Sequence, residues 1–485
     1  MINRCTPVAL AAALLMAGCS FIPTYERPAA PVPEAYRSGS TPQGDAAGAQ
    51  AAATLPWQDY FTDPRLQQLI SAALVHNRDL QVAVLNIEQA RAQYQITRAD
   101  QFPTINAGAT ATRAPSVAAG SNSASYNNSY SVGFMTSAWE LDFFGRIGSL
   151  KEQALAQYLA TEEGMRAAQV SLVSAVANAW YTLLADEELL AISRRTLETR
   201  EASIALTKLS FDAGVTSELD YRQAVSLTEA ARATLAQQQR QRALDENALV
   251  LLLGQPLPTD VRASLEGTRL YQVPALAPLP AGLPSDLLVQ RPDIRQAEQA
   301  LKGANANIGA ARAAFFPRIA LTAQAGTVSS ELSGLFKSGS WGFSLAPSAM
   351  LPIFDAGRNS ANLDAAQVGR RIAVAQYEKA IQTAFREVSD ALDSQATLQE
   401  QGRAQNAQLE AETVRLKLSD LRYRNGVASF LDLMDAQRSL FALEQSAVQV
   451  RLAQLQNQLL LYKALGGGST QPTPLASTAS GAAAR

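Results

Sequence analysis

The chain repeats itself. Phe211-Asp212-Ala213-Gly214-Val215 returns as Tyr423-Arg424-Asn425-Gly426-Val427, 212 positions further on (214 to 426). Leu219-Asp220 and Leu431-Asp432, Gly145-Arg146 and Gly357-Arg358, and Leu253-Gly254 and Leu465-Gly466 keep the same spacing. Phe102-Pro103 and Phe316-Pro317 stand 214 apart (102 to 316), as do Asp79 and Asp293, which marks a two-residue loop indel. An ordered series of such pairs is a duplication, so whatever one half folds into, the other must form too. Each half reads as a short helix (about 80–100; about 294–314), two alternating segments, a long helix, a tight glycine turn and a second long helix. The two repeats occupy 61–254 and 285–466, joined by a Pro-rich linker at 255–284. A lipid-anchored arm at 19–60, Pro/Ala/Gly-rich over 28–56, is expected before them, and a low-complexity, disordered tail at 467–485 after them.

Residues 1–18 read as an export signal, with Arg4 as the basic start and 8–15 as the apolar stretch. The run Leu15-Met16-Ala17-Gly18-Cys19-Ser20 resembles a lipobox, in which Cys19 is acylated (palmitate included) and becomes the mature N-terminus. Met16 stands where leucine is usual. Cys5 leaves with the signal, so Cys19 without lipid would be a lone exported thiol. Ser20, in place of Asp, resembles lipoproteins sorted to the outer membrane. Charged residues make up 17% of the chain and form no basic block, which argues against nucleic acid as a partner.

No later stretch reaches the roughly 18 apolar residues of a spanning helix, so any bilayer crossing falls to β-strands. Ile105, Ala107, Ala109 and Ala111 alternate with small polar residues, and Tyr130, Val132 and Phe134 do the same. The second half repeats the pattern with Ile319, Leu321, Ala323 and Ala325, then with Trp341, Phe343 and Leu345. Period two means one apolar and one polar face. A soluble strand pair would show it, and so would strands with lipid outside and water inside. Four strands cannot close a barrel. Two copies would supply eight, three would supply twelve and leave a lumen. A conduit predicts the trimer, while the residues alone leave both numbers open.

From 149 to 210 there is no proline and one glycine, Gly164. Leu150, Ala154, Tyr158, Thr161, Met165, Ala168 and Leu172 recur at steps of three and four, the seam of a coiled coil. Such a helix is roughly 90–95 Å long. The return helix at 217–253 is roughly 55 Å, and the short helix at 80–100 adds roughly 30 Å, so together they nearly match it. Gly214 and Gly426 end the long helices where a left-handed residue is needed, and each turn is a hairpin tip.

Together the lipobox, the Gly-Val-x-x-x-Leu-Asp repeat, Ala-Phe-Phe-Pro at 314–317, Leu-Pro-Ile-Phe-Asp-Ala-Gly at 351–357 and Leu-Met-Asp-Ala-Gln-Arg-Ser-Leu at 433–440 resemble the TolC-type outer-membrane factor family. The match is to its OprM-like lipoprotein branch and covers nearly the whole mature chain. The resemblance implies an α+β membrane protein whose homotrimer forms a 12-stranded β-barrel in the Gram-negative outer membrane and a 12-helix α-barrel in the periplasm. It implies a passive conduit exporting drugs or small molecules, partnered by a periplasmic adaptor and an inner-membrane RND-type transporter. Residues matching Leu431 and Asp435 line the family's closed periplasmic gate, and Asp432 adds carboxylate in one branch. Asp220 and Tyr423 are latch candidates bonding across helices; an arginine of one branch is replaced here by Ala428. The tips, Gly214, Val215, Gly426 and Val427, are the candidate adaptor contacts. Asp220 and Asp432 also suit the positive start of a helix. Three-fold assembly would gather like charges and raise their pKa values.

No enzyme is expected. His76 is the sole histidine and reads as a cap or surface residue; no metal or cofactor site is evident apart from the lipid on Cys19. No phosphate-cradling glycine loop occurs, and Arg291-Pro292-Asp293 reads as a helix start. Two other readings stay open: a lipoprotein stalk or adaptor without a pore, and the same channel serving type I protein secretion.

Overall fold

A computed structural model describes residues 20–33, 36, 55–116, 125–274, 276 and 290–467. The signal at 1–18, Cys19 and the tail beyond 467 lie outside the described residues. Short helices α1 (Trp57–Tyr60) and α2 (Pro64–His76) lead into the first repeat. That repeat runs α3 (Arg78–Ala99), β1 (Asn106–Ser116), β2 (Ser125–Leu141), α4 (Arg146–Asp212) and α5 (Glu218–Leu253). After α6 (Thr259–Ala263) and a 3-10 turn (Leu270–Gln272), the second repeat runs α7 (Pro292–Ala313), β3 (Arg318–Ser329), β4 (Trp341–Met350), α8 (Arg358–Arg424) and α9 (Phe430–Ala464). At 67 residues each, α4 and α8 are about 100 Å long. Both start in one compact unit (described residues within 1–29, 86–162 and 296–378) and end in a second (within 30–85, 163–295 and 379–485), so each unit draws on both repeats.

In the first unit the strands form one antiparallel sheet in chain order. Trp341, Phe343 and Leu345 are all more than 60% exposed, so no core of this chain covers their face. This fits a lipid-facing sheet, not a soluble one. Among the described residues β1 and β4 are edges, each paired on one side only. β2 is 17 residues long, well past the alternation visible at 129–134. The register shifts between Thr136 and Trp139, where Ala138 takes a positive φ of 50°. The bulge inserts one residue and changes the parity of the alternation, so Trp139 and Leu141, opposite Leu321 and Ile319, lie on the same face as Phe134, opposite Ala325.

Gly108 lies opposite Gly133, Gly133 opposite Gly326, and Gly326 opposite Gly342, a row across all four strands. A Cβ on Gly133 would sit 2.4 Å from the Ala325 carbonyl oxygen, and one on Gly326 would sit 2.3 Å from that of Val132. The central strands therefore need bare backbone at this line. Residues 20–29 run along α7. Phe21 stacks on Phe316 with centroids 4.6 Å apart, Asn305 donates to the Pro23 carbonyl at 2.7 Å, and Arg27 pairs with the buried Glu298 at 2.9 Å.

The second unit packs around Trp180 and Tyr181, with Tyr60 stacked on Tyr462 at 4.1 Å. The described part of the Pro-rich segment between the repeats, 255–274 and 276, contributes to this core. Leu257, Val261 and Leu265, four residues apart, are buried, as are Leu270, Val273 and Leu276. One side of short helical turns thus carries its apolar residues inward. Asn77 caps α3: its Oδ1 accepts from the Leu80 amide and its Nδ2 donates to the Leu252 carbonyl, both at 2.9 Å. His76 is an exposed residue at the end of α2.

Candidate functional site

The two hairpin tips are built alike. Gly214 (φ 73°) and Gly426 (φ 70°) take the left-handed turn that a Cβ would strain. In the first, the Val215 amide donates to the Ser210 carbonyl at 2.8 Å; in the second, that of Val427 donates to Arg422 at 2.9 Å. These six-residue closures satisfy carbonyls that a helix end leaves open. Ser217 and Ser429 then cap α5 and α9. Val215 and Val427 project from the turns, 81% and 66% exposed.

The first turn of α9 divides its residues sharply. Phe430, Leu433 and Met434 are buried against Ala224, with Ile204, Leu227, Leu416 and Tyr423 around them. Leu431, Asp432, Asp435 and Arg438 lie on the other side of the helix, away from the chain's own core; Leu431 is 60% exposed. The candidate gate residues are therefore brought to one face.

Their charges are not equivalent. Asp432 closes a capping box with Ser429: its Oδ2 accepts the Ser429 amide at 3.1 Å and its own amide donates to Ser429 Oγ at 3.2 Å. That hydrogen bonding holds its carboxyl below the usual range. Asp435 is gripped by two guanidiniums, Arg415 Nη2 at 2.7 Å from α8 and Arg438 Nη2 at 2.6 Å one turn along α9. Arg415 first, then Arg438, also lower its pKa. Within one chain the nearest charges to Asp435 are thus opposite in sign. Arg415 is a functional candidate that repeat spacing missed; Arg438, three residues past Asp435, had a visible helical signal.

Within one chain no hydrogen bond joins the latch candidates. Asp220 Oδ2 is taken up by Ser217 Oγ at 2.7 Å and Thr216 Oγ1 at 3.2 Å, its own cap. The Tyr423 ring packs against Phe430, centroids 5.7 Å apart. Among the described residues no group of three or more His, Cys, Asp or Glu is placed to hold a metal, and no helix is long and apolar enough to cross a membrane.

A family model described as outer membrane efflux protein matches residues 69–255 and 283–467. The toluene efflux pump outer membrane protein TtgC of Pseudomonas putida is 46% identical over 463 residues, 95% of each chain. Outer membrane protein OprJ of Pseudomonas aeruginosa is 45% identical over 464 residues, again 95% of each. The crystal structure of the open state of the Neisseria gonorrhoeae MtrE outer membrane channel superposes with a TM-score of 0.82 at 42% identity, covering 94% of this chain and all of that one. Strands with open edges, uncovered apolar faces and long helical hairpins are the protomer of an outer-membrane channel. The chain belongs to the outer membrane efflux protein family. It is an outer-membrane channel protein of efflux, reaching into the periplasm.

Proposed function

We propose that three copies close one 12-stranded barrel and that α9 of each lines a periplasmic gate through which a tripartite pump expels small molecules. The observation that carries this is the division of α9. Leu431 and Asp435 share a face that the chain's own core does not use, which is where a threefold axis would place a constriction. The open edges of β1 and β4 support the shared cylinder, since unpaired strand edges are not tolerated in lipid. The exposed tips at Gly214, Val215, Gly426 and Val427 suit docking of a periplasmic adaptor, which links the channel to an inner-membrane RND-type transporter. The chain performs no covalent chemistry itself, and energy comes from that transporter.

In this reading Arg415 masks Asp435, and Asp432 carries the free negative charge of the constriction. In planar bilayers, Arg415→Gln raises cation preference and conductance by unmasking Asp435, and adding Asp435→Asn reverses the gain. Asp432→Asn lowers cation preference in the parent channel. Identical conductance and reversal potential for the parent, Arg415→Gln and Asp435→Ala would remove these residues from the gate.

Cys19 carries the lipid anchor. Cells fed labelled palmitate label the parent protein and not Cys19→Ser; equal labelling of the two would end the assignment.

A further inference from the structure

Asp186, on α4 within the second unit, is only 5% exposed. Its Oδ2 is buried and meets no hydrogen-bond donor. A second acid, Asp245 of α5, approaches its carboxyl, and Asp245 Oδ2 accepts from Gln241 Nε2 at 2.9 Å. An ionised carboxylate wants donors on both oxygens, and burying it with an unmet acceptor beside another carboxyl is costly. The other charged groups facing it are Glu187, next to it on α4, and Arg242 on α5. Arg242 is already engaged: it donates to Glu187 and, at 2.7 Å, to Glu246, while Arg262 of α6 takes the other oxygen of Glu246. Four carboxyls (186, 187, 245, 246) thus face two guanidiniums (242, 262), and the two aspartates are the pair left without a cation.

We propose that Asp186 and Asp245 form a proton site, holding one proton between two carboxyls, which joins α4 to α5 when occupied and loosens that seam when the proton leaves to water. Burial first, then the hydrogen bond and charge of Asp245, raise the Asp186 carboxyl to about 8. The sign follows from linkage. In the unfolded chain the group titrates near its ordinary 3.8, so the folded state holds the proton more tightly. This site costs no stability below that value. The penalty for ionising it grows as pH rises and is complete once pH passes about 8.

Infrared difference spectroscopy of the purified full-length protein tests the site without reference to conductance. At pH 6 the parent shows the carbonyl stretch of a buried carboxylic acid, it fades with a midpoint near about 8, and Asp186→Asn lacks it. Asp245→Asn keeps the band and lowers the midpoint. Amide exchange in 180–190 and 242–250, corrected for intrinsic rates, is slower at pH 6 than at pH 9 in the parent and equal at both in Asp186→Asn. No Asp186-dependent band, a midpoint unmoved by Asp245→Asn, or equal protection at both pH values in the parent would each overturn the proposal.

Discussion

Gly326→Val leaves almost no assembled channel. A Cβ at this position falls 2.3 Å from the Val132 carbonyl oxygen and 2.5 Å from the Gly133 Cα, and both obstacles are backbone. A flexible side chain could swing away; a strand in register cannot. Overpacking of a core typically costs about 1–3 kcal/mol, and here the strain falls on the ladder joining the two repeats. Each 1.4 kcal/mol is about tenfold in an equilibrium, so assembled, heat-modifiable protein in the outer membrane falls about 5- to 150-fold. Equal recovery of Gly326→Val and the parent on unheated gels would refute the bare-backbone account.

Arg291→Met unfolds at markedly lower denaturant. The Arg291 side chain is 6% exposed and precedes the proline that opens α7. Its guanidinium donates to Asp293 Oδ2 at 2.7 Å, to Glu387 Oε2 on α8 at 2.8 Å, and to the Ala464 carbonyl at the end of α9 at 2.9 Å. Three helices therefore meet on one cation. Methionine fills much of the volume but leaves two carboxylates facing each other and a carbonyl without its donor. The carboxylates left behind are 42% and 25% exposed, so water partly compensates them, and the lost hydrogen bonds cost about 1–3 kcal/mol. Arg291→Lys recovers only part of this, because one ammonium cannot reproduce the fork geometry. A denaturation midpoint for Arg291→Met equal to the parent's would show that the cluster contributes nothing.

Much of this fold is legible in the chain itself. Period-two stretches mark all four strands, a proline-free run of steps three and four marks α4 to within a few residues of its ends, and α8 follows from the repeat. Gly214 and Gly426 mark both tips, because only a left-handed residue ends a helix that way. The length of β2 was not legible: the bulge at Ala138 reverses the alternation, and a rule based on phase stops there. The buried role of 255–274 was hidden by its prolines, which signal a linker more strongly than Leu257, Val261 and Leu265 signal a core.

For the candidate site, Leu431, Asp432 and Asp435 could be picked out from repeat position and resemblance, but their partners could not. Arg415 lies twenty residues before Asp435, on a different helix, and Asp186 lies fifty-nine before Asp245. The order of elements, the turns and the faces of each strand are local properties, set by φ preferences and by the spacing of apolar side chains along a few residues. Which arginine masks which aspartate, and which acids share a proton, depend on how far each long helix is rotated about its axis. That rotation is set by the packing of hundreds of atoms from both repeats at once, so only the tertiary structure decides it.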